Sequence, residues 1–157
     1  MSDETVDLGR RLRLAGVPLK LPGALVIQGD GNRGRWIDGL DLRSEQASTG
    51  FMLFADESGF NYIGDIKEGP ATRLELSDGA TRGAVLEWLR QAYGQFNLCP
   101  RFMNMGSTTL SWWCFSLNLE SLDDLPHGDS EAEALVVAAE WLREGRWSAR
   151  HPRKKWP

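Results

Sequence analysis

Apolar positions recur along this chain in two periods, and the switches between them predict the order of its elements. Val6, Leu8, Leu12 and Ala15 fall at roughly helical spacing over residues 4–15. Gly16, Val17 and Pro18 then end the helix, because glycine suits the position just past a helix end and proline cannot continue one. Gly9 weakens this helix from within. Residues 24–28 form a short apolar run that reads as a strand. The stretch Gly29-Asp30-Gly31-Asn32-Arg33-Gly34 follows, rich in residues that tolerate positive φ, and reads as a turn into a second strand over residues 35–39. Residues 40–50 are small and polar and predict a loop. Two β-prone runs, 51–55 and 60–66, flank Asp56-Glu57-Ser58-Gly59 as a hairpin. Lys67-Glu68-Gly69-Pro70 is a further turn, and residues 72–76 alternate as another short strand.

The second half is read in the same way. Asp78 caps a helix whose one broad face carries Ala84, Val85, Trp88, Leu89 and Ala92, with Gly94 as its stop. Residues 96–105, interrupted by Pro100, predict irregular chain. Residues 108–119 give the strongest strand signal, apolar on both faces at its centre, as in a strand covered on both sides. Ser130-Glu131-Ala132-Glu133 has the form of a capping box and opens a last helix with Leu135, Ala138, Ala139 and Leu142 in its stripe. The tetrapeptide Glu-Trp-Leu-Arg closes both long helices, at residues 87–90 and 140–143. The segments before the two copies differ, so the repeat reads as two helices converging on one kind of end. The layout predicts a single α+β domain over residues 1–145. An antiparallel or mixed sheet, built from the N-terminal strands together with strand 108–119, carries helices packed on it through Trp88, Leu89, Leu142 and Trp141. Its C-terminal half runs helix, sheet, helix.

At 157 residues with seven Trp, six Phe and two Tyr, the chain supplies a core held by apolar packing. Two cysteines, Cys99 and Cys114, are too few for a disulfide framework and predict reduced thiols in a reducing compartment. No basic segment followed by an apolar stretch opens the chain, and no apolar run approaches a membrane span. The expectation is a cytoplasmic protein without a signal peptide. Charge is uneven. Residues 1–145 hold 13 basic against 22 acidic side chains, whereas residues 146–157 hold five basic side chains and no acid. An acidic body therefore carries a basic tail, which bears on partners and not on fold.

Several motifs invite a functional reading. Gly29-x-Gly31-x-x-Gly34 matches the dinucleotide fingerprint in letters, but that chemistry needs a helix to follow at once, with its N-terminus on the pyrophosphate. Here β-prone residues follow, so a glycine-rich hairpin turn is expected. Asp30-Gly31-Asn32 does not continue as a calcium loop, because the sixth and twelfth positions are Arg35 and Asp41. No His or Cys pair has metal-ligand spacing. His127 lies beside a helix cap, and nothing marks a serine as activated for a Ser-His pair. Asp123, Asp124, Asp129, Glu131 and Glu133 cluster near the start of the last helix, where acids complement the macrodipole. No catalytic, metal or cofactor residue is therefore assigned. The binding candidates are Trp112 and Trp113, which strand geometry sends to opposite faces, and the tail residues Trp147, Arg150, Arg153, Lys154, Lys155 and Trp156. The tail interleaves basic and aromatic residues as phosphate contact and base stacking would require.

Residues 76–145, with the run Ser130-Glu131-Ala132-Glu133-Ala134-Leu135-Val136, resemble small uncharacterised proteins of phages and prophages with a helix–sheet–helix sandwich. The resemblance implies a phage-type accessory protein and carries over no catalytic residue. The expectation is a non-catalytic protein that binds a protein partner, with inhibition of a host defence or toxin activity as its most specific form. The alternatives are nucleic-acid binding through the tail and a small enzyme that uses His127.

Overall fold

The computed structural model describes residues 3–29, 31–37, 51–55, 61–64, 66, 69–93, 96–104, 108–116 and 125–144. These residues form an α+β fold with three helices and two antiparallel sheets. Helix α1 (Asp3–Leu14) comes first, followed by strands β1 (Leu25–Ile27), β2 (Arg33–Ile37), β3 (Phe51–Ala55), β4 (Asn61–Gly64) and β5 (Arg73–Leu74). Helix α2 (Gly79–Tyr93), strands β6 (Phe96–Asn104), β7 (Thr108–Ser116) and β8 (His127–Gly128), and helix α3 (Glu131–Arg143) complete it. The first sheet has the order β4-β3-β2-β1-β5, the second β6-β7-β8.

Local chemistry accounts for most of the boundaries. α1 ends in a Schellman motif: Gly16 N–H donates to Arg13 O at 3.0 Å and Val17 N–H to Leu12 O at 3.3 Å, with Gly16 at φ +90°. Val17 and Leu12, the two positions whose apolar side chains commonly meet in this motif, are both buried in the core. Asp78 caps α2, its Oδ2 accepting from Thr81 N–H at 3.0 Å. Ser130 caps α3, its Oγ accepting from Glu133 N–H at 3.1 Å.

The hairpin reading of the glycine stretch is correct. β1 and β2 pair antiparallel across it, and no helix follows. Gly31 supplies the positive φ of the turn, at +88°. Gly34 is glycine for a different reason: a Cβ there would stand 2.7 Å from the side chains of Met52 and Phe54, which fill the core beneath it.

Two expectations are corrected. The strand at 108–119 does not join the N-terminal strands; β7 pairs with β6 and β8 in a sheet of its own. The segment around Pro100 is a nine-residue strand, β6, in register with β7 so that Pro100 faces Trp112. Among the described residues β6 is an edge strand, the place in a sheet where proline is accommodated, because a missing N–H on the unpaired side costs no ladder bond.

One core unites both sheets and all three helices. It includes Leu8 and Leu12 of α1, Val26, Met52, Phe54 and Leu74 of the first sheet, Val85 and Leu89 of α2, Cys114 of β7 and Leu135 of α3. α3 is its hub and packs against α1, α2, β7 and β8. Ala134, Ala138 and Ala139 are fully buried there, and such small side chains allow close approach from several directions. The two Glu-Trp-Leu-Arg copies play different parts. In α2, Leu89 is fully buried and, among the described residues, Glu87 pairs with Arg90 of its own helix, at 3.3 Å. In α3, Leu142 and Trp141 are only partly buried, while Glu140 takes a forked pair of bonds from Arg11 of α1, at 2.6 and 3.2 Å. That hydrogen bonding raises the Arg11 pKa against the opposing effect of burial.

Candidate functional site

Trp112 is the one sequence-predicted binding residue whose surroundings the described residues define. Its backbone pairs with Pro100 on one side and Gly128 on the other. It shares a strand face with Cys114, whose Sγ lies 3.5 Å from Ala134 O of α3. That face therefore looks towards α3. A Cβ at Gly128 would meet the Glu133 side chain at 2.7 Å and Ala134 N at 2.8 Å, so α3 starts in direct contact with β8. The close approach leaves Trp112 partly buried, packed on the core along one side and open on the other.

The open side is the wall of a groove of about 440 Å³ where three elements meet. Glu4, Thr5 and Leu8 come from the start of α1, Leu76, Ser77 and Arg82 from the approach to α2 and its first turns, and Asp129 to Ala132 from the start of α3. Leu8 and Leu76 are core residues that form its apolar floor. Arg82 is the one base of the lining among the described residues, and its Nε and Nη1 are both engaged. Its Nε donates to Glu131 Oε2 at 3.1 Å, and its Nη1 donates to the carbonyls of Leu76 and Ser77, each at 2.9 Å. Glu4 and Asp129 are exposed and have no hydrogen bond or ion pair among the described residues. The groove thus combines an indole, an apolar floor and two uncommitted carboxylates. Glu131, expected to serve the helix dipole, also locks the first turn of α3 to α2 through Arg82.

The other candidates do not assemble with Trp112. Trp113 pairs with Cys99 and His127 in the ladder, and its side chain lies outside the described residues. The tail residues Trp147, Arg150, Arg153, Lys154, Lys155 and Trp156 lie outside them as well, as do Asp123 and Asp124. His127 is exposed, and its Nδ1 lies 3.2 Å from Leu125 O, a carbonyl that can only accept. It lines neither this groove nor the second one described below. Cys99 and Cys114 are both free thiols, and burial pushes the Cys114 thiol pKa up. No group of three His, Cys, Asp or Glu among the described residues is placed to hold a metal ion. No described helix is long and apolar enough to cross a membrane.

Sequence reasoning singled out Trp112 but missed Glu4, Leu8, Leu76 and Arg82. The groove joins residues from opposite ends of the chain, and no local pattern announces such a meeting. No family model, curated protein or solved structure matches this chain.

Proposed function

We propose that this protein is a non-catalytic accessory protein that binds a protein partner, and that the Trp112 groove receives a basic segment of that partner. The observation that carries the reading is the pairing of a partly buried indole with two uncommitted carboxylates, in a groove whose single arginine among the described residues is held by internal bonds through Nε and Nη1. A Lys or Arg side chain laid on the indole gains cation–π attraction, about 0.5–1 kcal/mol at an exposed site and more when desolvated. Its charge then sits within the field of Glu4 and Asp129. The acidic body adds long-range steering towards a basic surface. On the resemblance of residues 76–145 to phage and prophage proteins, the partner to seek first is a host protein, in the narrowest form a defence or toxin component whose active surface would be blocked.

The test is affinity capture from lysate of the encoding host with the wild-type protein and with a Glu4→Lys/Asp129→Lys double variant. Both substitutions lie on exposed positions, so the fold should persist, which circular dichroism checks. The expected outcome is a partner that the wild type retains in moderate salt and the variant loses. Capture of the same partner by both proteins, or of no specific partner by the wild type, would discard the proposal.

A further inference from the structure

A second groove, of about 720 Å³, lies where the C-terminal ends of α1 and α3 meet. It is lined by Arg10, Arg13, Leu14, Pro70, Ala71 and Arg143. Its chemistry is the reverse of the first: three guanidinium groups and, among the described residues, no acid. Leu14 is 70% exposed, the one large hydrophobic side chain so exposed among the described residues. Arg13 is structural, since its Nη1 donates to the carbonyls of Gly69 and Thr72 and pins the wall that carries Pro70 and Ala71. Arg143 lies over the end of α1, its Nη1 3.3 Å from where a Cβ on Gly16 would stand. Arg10 and Arg143 have no hydrogen bond or ion pair among the described residues.

Dipole complementarity explains one positive charge at the end of each helix. It does not explain why the ends of two helices converge, with Arg10 added, around an exposed leucine. We infer that this groove is a docking site for an acidic peptide segment of a partner protein, one that places an apolar side chain on Leu14, Pro70 and Ala71 between carboxylates facing Arg10 and Arg143. Charge complementarity identifies the occupant. The chain's own C-terminal segment, residues 146–157, has five basic residues and no acid, so its charge does not complement the groove. A single-stranded nucleic acid would match the charge. It gains much of its affinity from stacking on aromatic side chains, however, and the lining has none.

The test is fluorescence anisotropy with the full chain and three labelled probes: a 12-residue peptide alternating Glu with Leu, the same peptide with Lys for Glu, and a 12-nucleotide single-stranded DNA. The expected result is saturable binding of the Glu-Leu peptide only. An Arg10→Glu/Arg143→Glu variant should weaken it at least tenfold, and Leu14→Ser several-fold, with the thermal midpoint of both variants within a few degrees of the wild type. Arg13 is left in place because it holds the wall. Three outcomes would overturn the inference: no saturable peptide binding, peptide binding equal in wild type and double variant, or DNA binding that the double variant abolishes while the peptide fails to bind. Glu4→Lys/Asp129→Lys should bind the Glu-Leu peptide as the wild type does, so failure at one groove is distinguishable from failure at the other.

Discussion

Two glycines inside helices, Gly9 in α1 and Gly83 in α2, should respond to alanine in opposite directions. Helix propensity alone predicts the same gain at both, about 1 kcal/mol. Around Gly83 a new Cβ meets nothing within 4 Å, so the gain should appear in full. At Gly9 the new Cβ would stand 2.7 Å from the carbonyl oxygen of Leu74 and 3.3 Å from the Arg73 side chain. A backbone oxygen in β5 cannot swing aside. Ordinary close contact of carbon with a carbonyl oxygen is about 3.3–3.6 Å, so α1 must withdraw from β5 by roughly half an ångström or more. Overpacking of this kind costs about 1–3 kcal/mol, which exceeds the propensity gain. The expected net effects are a loss of about 1 kcal/mol for Gly9→Ala and a gain of about 1 kcal/mol for Gly83→Ala. At this chain length each corresponds to about 2–4 °C in Tm. Thermal and urea unfolding followed by circular dichroism, with unchanged m-values, would measure both. Gly9→Ala as stable as the wild type, or more so, would refute the reasoning, because it would mean that α1 does not lie on the Leu74 carbonyl.

Three further outcomes are expected. Thr81 is fully buried and its hydroxyl is doubly used, accepting from Leu25 N–H and donating to Asp78 Oδ2, each at 2.8 Å. Thr81→Val should therefore cost about 1–3 kcal/mol in urea unfolding by orphaning a backbone donor, and Thr81→Ser should cost less. Thiol labelling with iodoacetamide should modify half-buried Cys99 in the native protein, and buried Cys114 only at a rate that rises with urea as the core opens. The hydrogen bond from Arg35, ahead of those from Thr81 and against a burial penalty, lowers the Asp78 pKa from 3.8 to about 2. A carboxyl lowered on folding stabilises above its unfolded pKa and loses that stability as pH falls through its folded one. The Asp78→Asn variant, which keeps a cap-forming side chain, should be less stable than the wild type at pH 6 by about 1 kcal/mol, allowing for solvent screening at this partly exposed pair. The gap should close between about pH 4 and pH 2, and urea midpoints that stay equally far apart down to pH 2 would contradict the assignment.

What could be read in advance was what depends on near neighbours. Capping at Asp78 and Ser130, the stop at Gly16 and the turn at Gly31 each involve a few consecutive residues, and each stands as expected. The fingerprint letters misled only when detached from context, since Gly34 answers to Met52 and Phe54 from a neighbouring strand and not to a phosphate. Strand partnership was not legible. An apolar run such as 108–119 shows that a strand will be buried but not which strand it joins. Pro100 argued against β6 because the sequence does not reveal which strands lie at an edge. Gly9 is the same lesson inside a helix: it reads as a weakness until β5, more than sixty residues away, is brought against it. The candidate site was half legible. A tryptophan on a strong strand is visible, but the carboxylates that give its groove a sign come from the start of α1 and the start of α3.

Both grooves lie along α1, and that placement bears on how independent they are. Glu4 stands in the first turn of the helix and lines one groove; Arg10, Arg13 and Leu14 belong to its second half and line the other. Acids at the start and bases at the end are what the helix macrodipole favours, so one physical bias both steadies α1 and gives its two ends opposite chemistry. The 12-residue helix is about 18 Å long at 1.5 Å per residue. The Debye length at physiological salt is about 8 Å, so charges at one end are largely screened from a ligand at the other. Charge reversal at either groove should therefore act locally on binding. It opposes the dipole of the same helices, however, and so costs stability of about 0.3–1 kcal/mol per site. A fall in capture or peptide binding reports on a surface only if it greatly exceeds what that loss can produce. For a protein well below its Tm, a loss of this size leaves the folded population almost unchanged, so a tenfold loss of affinity belongs to the groove itself.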